Sequence, residues 1–299
     1  MTDFSQLIPG RSPSFLVASP PGAGPQRWAG APSAALDADG SIVLAYRERH
    51  SFQEDSNLLA RSADGEHFEI VAELDKERWG FAMVERPALV RTPEGFWRLY
   101  ASGSDPSSGR WSVALAEAAT VEGLAQAAPR TVFPGDPLTT VKDPVVRLRD
   151  GVWHAWLCCH PLEEPGAEDR MTTAWATSAD GVRWDWRGTV LSGAPGSWNR
   201  RGARLTSFLP DGTATFDGRA SAEENWRERT GLAVPVGGGA QLLPLDAGPV
   251  ADVRYLEVLP LPDGGWLTYF EAPLPDGSHE LRGARHAPGP GLDLPPSTR

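Results

Sequence analysis

The chain has 299 residues, among them 32 glycines and 28 prolines, and carries a net charge of −11 with only two cysteines. That length is enough to bury a substantial core, while glycine and proline spread throughout argue against long helices. The acidic balance makes the surface a poor match for nucleic acid or anionic lipid.

From the N-terminus, Met1 to Pro13 lacks a charged segment followed by an apolar core, and nowhere do 18 apolar residues run together. Cys158 and Cys159 are neighbours in sequence, so a disulfide between them would be strained and a reducing compartment fits best. The expectation is a cytoplasmic protein with no membrane association and no bound cofactor or metal. Phe15-Leu16-Val17 is then the first strand-like run.

Beyond it the chain repeats. Glycines 40, 95, 151, 212 and 264 each close a turn such as Asp39-Gly40, Asp150-Gly151 or Asp211-Gly212, at intervals of 55, 56, 61 and 52 residues. Asp-Gly tolerates the positive φ of tight hairpins. Each turn follows an apolar run, such as Pro144 to Leu148, and precedes an alternating one, such as Ser41 to Tyr46 or Gly265 to Phe270. Two Ser-Ala-Asp-Gly boxes, Ser62 to Gly65 and Ser178 to Gly181, lie 116 residues apart, about two repeats. A four-stranded sheet with its loops needs about that much chain per repeat.

The pattern predicts an all-β, five-bladed β-propeller over the whole chain, with blades at about 28–80, 81–138, 139–197, 198–250 and 251–290. Phe15-Leu16-Val17 would pair with the last blade and close the ring, removing exposed edges. Two stacked sandwiches, or six blades with one degenerate, are the alternatives, and the even spacing favours five. Val113 to Ala127 has room for a turn or two of helix, although strand and loop are expected there.

In a propeller the first strand of each blade lines the axis, and residues ending the second strand return to the same mouth. The first set comprises Trp28 to Ala31, Glu85-Arg86, Lys142-Asp143, Arg201 to Arg204, and Arg254 with Tyr255 and Glu257. The second comprises Arg47 to His50, Ser102 to Asp105, Cys158 to His160, Asp217 to Arg219, and Glu271. Charge avoids a protein centre unless it is paired or functional, yet here it accumulates there.

The repeated hairpins, the Lys142-Asp143-Pro144 opening of the third blade and the Ser-Ala-Asp-Gly boxes resemble the five-bladed propeller glycoside hydrolases. That group includes arabinanases and xylosidases of family 43, invertase and levansucrase relatives, and the mannoside phosphorylases of family 130. The resemblance implies that Asp143 stabilises the transition state or tunes a neighbouring pKa. It also implies a base or nucleophile Asp on the first blade and an acid Glu farther on. This chain departs at both places, reading Ala31-Pro32 in the first blade and Arg201-Gly202-Ala203-Arg204 in the fourth. Hydrolysis in such folds needs two carboxylates flanking the bond, ~5–5.5 Å apart for retention or ~6.5–9.5 Å for inversion. Glu85 and Glu257 are the carboxylates available from other blades.

Arg86, Arg204 and Arg254 come from three blades, and guanidinium forks suit a carboxylate or phosphate. They either bind an acidic sugar or pair with Glu85, Asp143 and Glu257 as an interblade network. His160 is a candidate acid or base because imidazole titrates near neutrality, with His50 at the matching end in the first blade. Trp97, Trp153 and Trp266 share one place after the turn and read as blade packing. Trp28, Trp198 and Trp226 fall near the mouth and offer rings to a sugar.

The expectation is thus a glycosidase-like hydrolase of carbohydrate metabolism taking a small glycoside or acidic sugar. Asp143, Glu85, Glu257 and His160 are its candidate catalytic groups, and Arg86, Arg204, Arg254, Trp28 and Lys142 its substrate-binding ones. The alternatives are a lyase, isomerase or cyclase on the same scaffold, or a noncatalytic carbohydrate-binding propeller.

Overall fold

The computed structural model describes residues 4–163, 170–237, 241–245 and 248–288. A short strand β1 (Phe15–Ala18) precedes a first antiparallel meander of β2 (Trp28–Leu36), β3 (Ile42–Ser51), β4 (Glu54–Ser62) and β5 (Glu69–Glu73). The second holds β6 (Met83–Arg91), β7 (Trp97–Ser104), β8 (Trp111–Ala118) and β9 (Arg130–Phe133), with one helical turn α1 (Val121–Leu124) before β9. The third holds β10 (Thr139–Arg149), β11 (Val152–Pro161), β12 (Thr172–Ser178) and β13 (Asp185–Leu191). The fourth holds β14 (Gly202–Phe208), β15 (Ala214–Arg219), β16 (Arg229–Val236) and β17 (Gln241–Pro244). The fifth runs β18 (Arg254–Pro260), β19 (Trp266–Pro273) and β20 (His279–His286).

The fifth sheet takes its outermost strand from the other end of the chain, because β1 pairs antiparallel with β20, Phe15 opposite Gly283. A single parallel bridge, Trp28 to His279, joins this sheet to the first. The first strands touch in the order β2, β6, β10, β14, β18 and back to β2. The fold is a β-propeller.

The core lies between the sheets. One buried cluster, with Val43, Leu59, Trp79 and Leu99, joins the first two sheets, and another, with Tyr100, Phe133, Trp153 and Leu157, joins the second and third. Similar clusters join the third to the fourth, the fourth to the fifth and the fifth to the first. Trp97, Trp153 and Trp266 are buried in them.

The Ser-Ala-Asp-Gly boxes tie neighbouring blades. Asp64 accepts from the amides of Glu66 and His67 at 2.8 and 2.9 Å, and Tyr269 of the fifth sheet donates to the carbonyl of Gly65 at 2.8 Å. In the second box Tyr100 donates likewise to the carbonyl of Gly181 at 2.8 Å. Among the described residues no helix is long and apolar enough to cross a membrane.

Candidate active site

Every first strand breaks register after its opening residues, between Gly30 and Ser33, Val84 and Pro87, Lys142 and Val145, Leu205 and Ser207, and Arg254 and Glu257. Such bulges re-aim side chains. In the first, third and fifth sheets the step is a left-handed residue, Ala31 at φ +53°, Asp143 at +52° and Tyr255 at +54°. A non-glycine residue in that region is uncommon and costs strain, so its threefold recurrence marks a built feature.

The bulges bring Glu85, Lys142, Arg204, Arg254 and Tyr255 to one cavity of about 260 Å³, with Trp28, Arg47, His160, Arg219 and Glu228 completing much of its wall. Five cationic side chains therefore face two carboxylates, Glu85 and Glu228.

Behind the wall the charges are paired. Glu85 accepts from Arg47 and, at 3.2 Å, from Arg49, with the Lys142 ammonium 3.9 Å away. Arg204 donates to Asp143, Asp217 and the Tyr255 hydroxyl at 2.8, 2.7 and 2.8 Å. Arg254 donates to Glu228 at 2.8 Å and to Glu271 at 2.6 Å, and Arg219 also donates to Glu228. Against the opposing push of burial, Arg47, Arg49 and Lys142 hold Glu85 well below the usual carboxylate range. Burial acts likewise on Glu228, but Arg254, Arg204 and Arg219 bring it down to about 2. Asp217 is the exception, since burial raises it despite Arg204. Both carboxylates at the cavity are therefore ionised at neutral pH, suited to stabilise positive charge and not to donate a proton.

Glu85, His160, Arg204, Arg254, Trp28 and Lys142 thus meet at the cavity as the sequence pattern anticipates. Asp143, Arg86 and Glu257 do not line it. Asp143 is fully buried behind Arg204 and also accepts from the backbone amide of Arg86 at 3.2 Å. Glu257 lies past the last bulge and accepts from Arg86 at 2.8 Å and from Arg147 at 2.5 Å. Arg86 is a structural partner there, the network reading of the sequence, and Arg147, which that reading did not include, joins it.

Trp28 is 2% exposed, its ring surrounded by Arg47, Arg49 and Arg254 at 5.2, 5.1 and 5.2 Å and stacked on His279 at 5.2 Å. It is a packed wall, not an open platform. Trp198 packs on Phe216 at 5.6 Å, and His50 is exposed beside Glu48. Nε2 of His160 lies 3.3 Å from the Cys158 sulfur, and burial pushes that thiol up so that it keeps its proton.

Glu228 was not anticipated. It sits just before β16 and pairs with Arg219 at the end of β15, as Asp55 near the start of β4 pairs with Arg49 near the end of β3 at 3.2 Å. An arginine late in the second strand followed six to nine residues later by an acid is the sequence signal that would have found it. Among the described residues no cluster of His, Cys, Asp and Glu is arranged to hold a metal ion.

No protein-family model and no curated protein sequence matches the chain. Solved structures do. One belongs to the family 130 mannoside phosphorylases, described as containing glycoside hydrolases that target β-1,2 mannosidic linkages in Candida mannan. It is 17% identical with a TM-score of 0.61, over 96% of this chain and 98% of that one. A β-1,2-mannobiose phosphorylase from Listeria innocua is 14% identical with a TM-score of 0.63, over 87% and 89% of the two chains. A thermostable family-43 glycoside hydrolase is 13% identical with a TM-score of 0.65, over 95% and 99%. The chain is similar to propeller glycoside hydrolases and phosphorylases in fold.

Proposed function

We propose that the chain is a glycoside-active enzyme whose axial cavity takes a small acidic sugar. The observation that carries this reading is the convergence of Arg47, Lys142, Arg204, Arg219 and Arg254 on one cavity, with the carboxylates Asp143, Asp217 and Glu271 set behind its wall. Among the described residues, Nε of Arg47, Nε of Arg204 and Nε1 of Trp28 are buried in the wall with no acceptor. A guanidinium pair matches a carboxylate in geometry.

In this reading Glu85 serves as the charge-stabilising carboxylate, with Glu228 lining the same cavity. His160 is assigned as the proton donor, being the imidazole among the described lining residues. Asp143 is a positioning residue that fixes Arg204 and the Tyr255 hydroxyl. Arg86 and Glu257 brace the ring below. The free thiols of Cys158 and Cys159 agree with a cytoplasmic setting, and the whole propeller acts as one unit.

The test is turnover of para-nitrophenyl uronides against the matching neutral glycosides. The expected result is hydrolysis of a uronide only, with Glu85→Gln lowering kcat/KM about 100-fold or more and Asp143→Asn lowering it less. Preference for neutral glycosides would overturn the reading. A second reading, a noncatalytic binding propeller, is favoured by the ion pairing of both cavity carboxylates and by Ala31 at the bulge. It predicts that a uronic acid binds in calorimetry while no uronide is turned over.

A further inference from the structure

A second space of about 530 Å³ adjoins the axial cavity and shares Trp28, Asn225, Trp226, Glu228 and Arg254 with it. Its chemistry differs. Pro25, Pro273, Leu274 and Pro275 contribute an apolar wall, beside the charged Arg227, Arg229, Asp252 and Asp276. That wall is preset, because the β19–β20 turn closes with Leu274 donating to the carbonyl of Ser278 at 2.8 Å and Gly277 to that of Leu274 at 3.0 Å. Asp276 in the same turn accepts from the amide of Gly24 at 2.9 Å.

Trp226 stands at the junction. It is 39% exposed, 5.7 Å from the buried Trp28 ring, and held at φ +70°. A bulky residue in that conformation is a steric outlier that persists only where its surroundings dictate it. Here the amide of Asn225 donates to the carbonyl of Ala222 at 3.0 Å and that of Arg227 to Glu224 at 2.8 Å, while the Asn225 side chain accepts from Arg219. The chain thus spends a strained backbone to present an indole face beside the charged cavity.

We infer that the substrate has two chemically distinct parts, an acidic sugar in the axial cavity and a flat apolar aglycone lying against Trp226 in the adjoining cleft. The inference rests on the acidic-sugar reading above and adds the aglycone class and the residue that selects it. Apolar contact with an aromatic face and a proline-lined wall rewards a planar group, while the separate polar cavity excludes it.

The experiment is calorimetric titration of the full chain with glucuronic and galacturonic acids and with their para-nitrophenyl thioglycosides, whose sulfur linkage resists the proposed hydrolysis. The expected result is that one aryl glycoside binds about tenfold tighter than its free acid. Trp226→Ala should bring that ratio to about one, Trp226→Phe should keep most of it, and Leu274→Lys, in the same cleft, should also reduce it. If the free acid binds but the aryl group adds nothing, or its advantage survives Trp226→Ala, the aglycone site is wrong and the acidic-sugar reading stands. If no acid or aryl uronide binds, both fall together.

Discussion

Asp143 accepts a 2.8 Å hydrogen bond from Nη1 of Arg204 although the two lie on different sheets, β10 and β14. The same guanidinium reaches Asp217 at 2.7 Å, so one arginine bridges two fully buried carboxylates. A buried charge that loses its partner is far more costly than the intact pair is stabilising.

Arg204→Ala should therefore destabilise the protein by about 3–5 kcal/mol and abolish binding of acidic sugars. Arg204→Lys, a point charge without the planar fork, should recover part of the stability and less of the affinity. Urea unfolding and calorimetry check both, and an Arg204→Ala protein with unchanged affinity would remove the arginine from the ligand site.

Acid should weaken the ring in a defined window. Glu85, Glu228 and Glu271 all bind their protons more weakly folded than unfolded. The stability they contribute is complete above the unfolded value, about 4.3, and is lost as pH falls through the folded values, that of Glu228 being about 2. Asp217 acts in the opposite sense because burial raises it. Thermal midpoints should be nearly level from neutrality to about pH 5 and fall steeply below about pH 4. Glu228→Gln should flatten that fall while lowering stability at neutral pH, and an unchanged slope would exclude Glu228 as a contributor.

Gly30 is needed for space. A Cβ there would sit 2.1 Å from Oε2 of Glu271, and Glu271 is pinned by Arg254, Arg47 and His279. Gly30→Ala should destabilise by about 1–3 kcal/mol through overpacking and weaken ligand binding by displacing Arg254. A denaturation midpoint equal to that of the parent chain would mean that Glu271 has room to move.

The architecture was readable because each hairpin turn carries its own chemical mark. Asp150 and Gly151 adopt φ +50° and +74°, and counting back from such turns finds the first strands and the residues at their bulges. Glu85, Lys142, Arg204 and Arg254 were legible for that reason. The bulges themselves were not, since an extra residue in one strand leaves no periodic trace, and they decide that Arg254 faces the cavity while Glu257 is bonded below it. Glu228 was hidden because it enters from a connection between strands outside the hairpin pattern. The openness of Trp28 was misjudged for another reason: its neighbours Arg49 and His279 lie far apart in sequence, and nothing local reveals that they cover it.

The pairing of β1 with β20 gives the molecule a clasp. Four sheets are each made from consecutive strands, whereas the fifth requires a strand from the opposite end of the chain. That sheet is complete only after synthesis has reached His286, so an emerging polypeptide holds an unsatisfied β1 until its last meander arrives. Rejoining the ends and opening the circle between two other sheets would convert the clasp into an ordinary hairpin, and folding of such a permuted chain would no longer wait for the final strand.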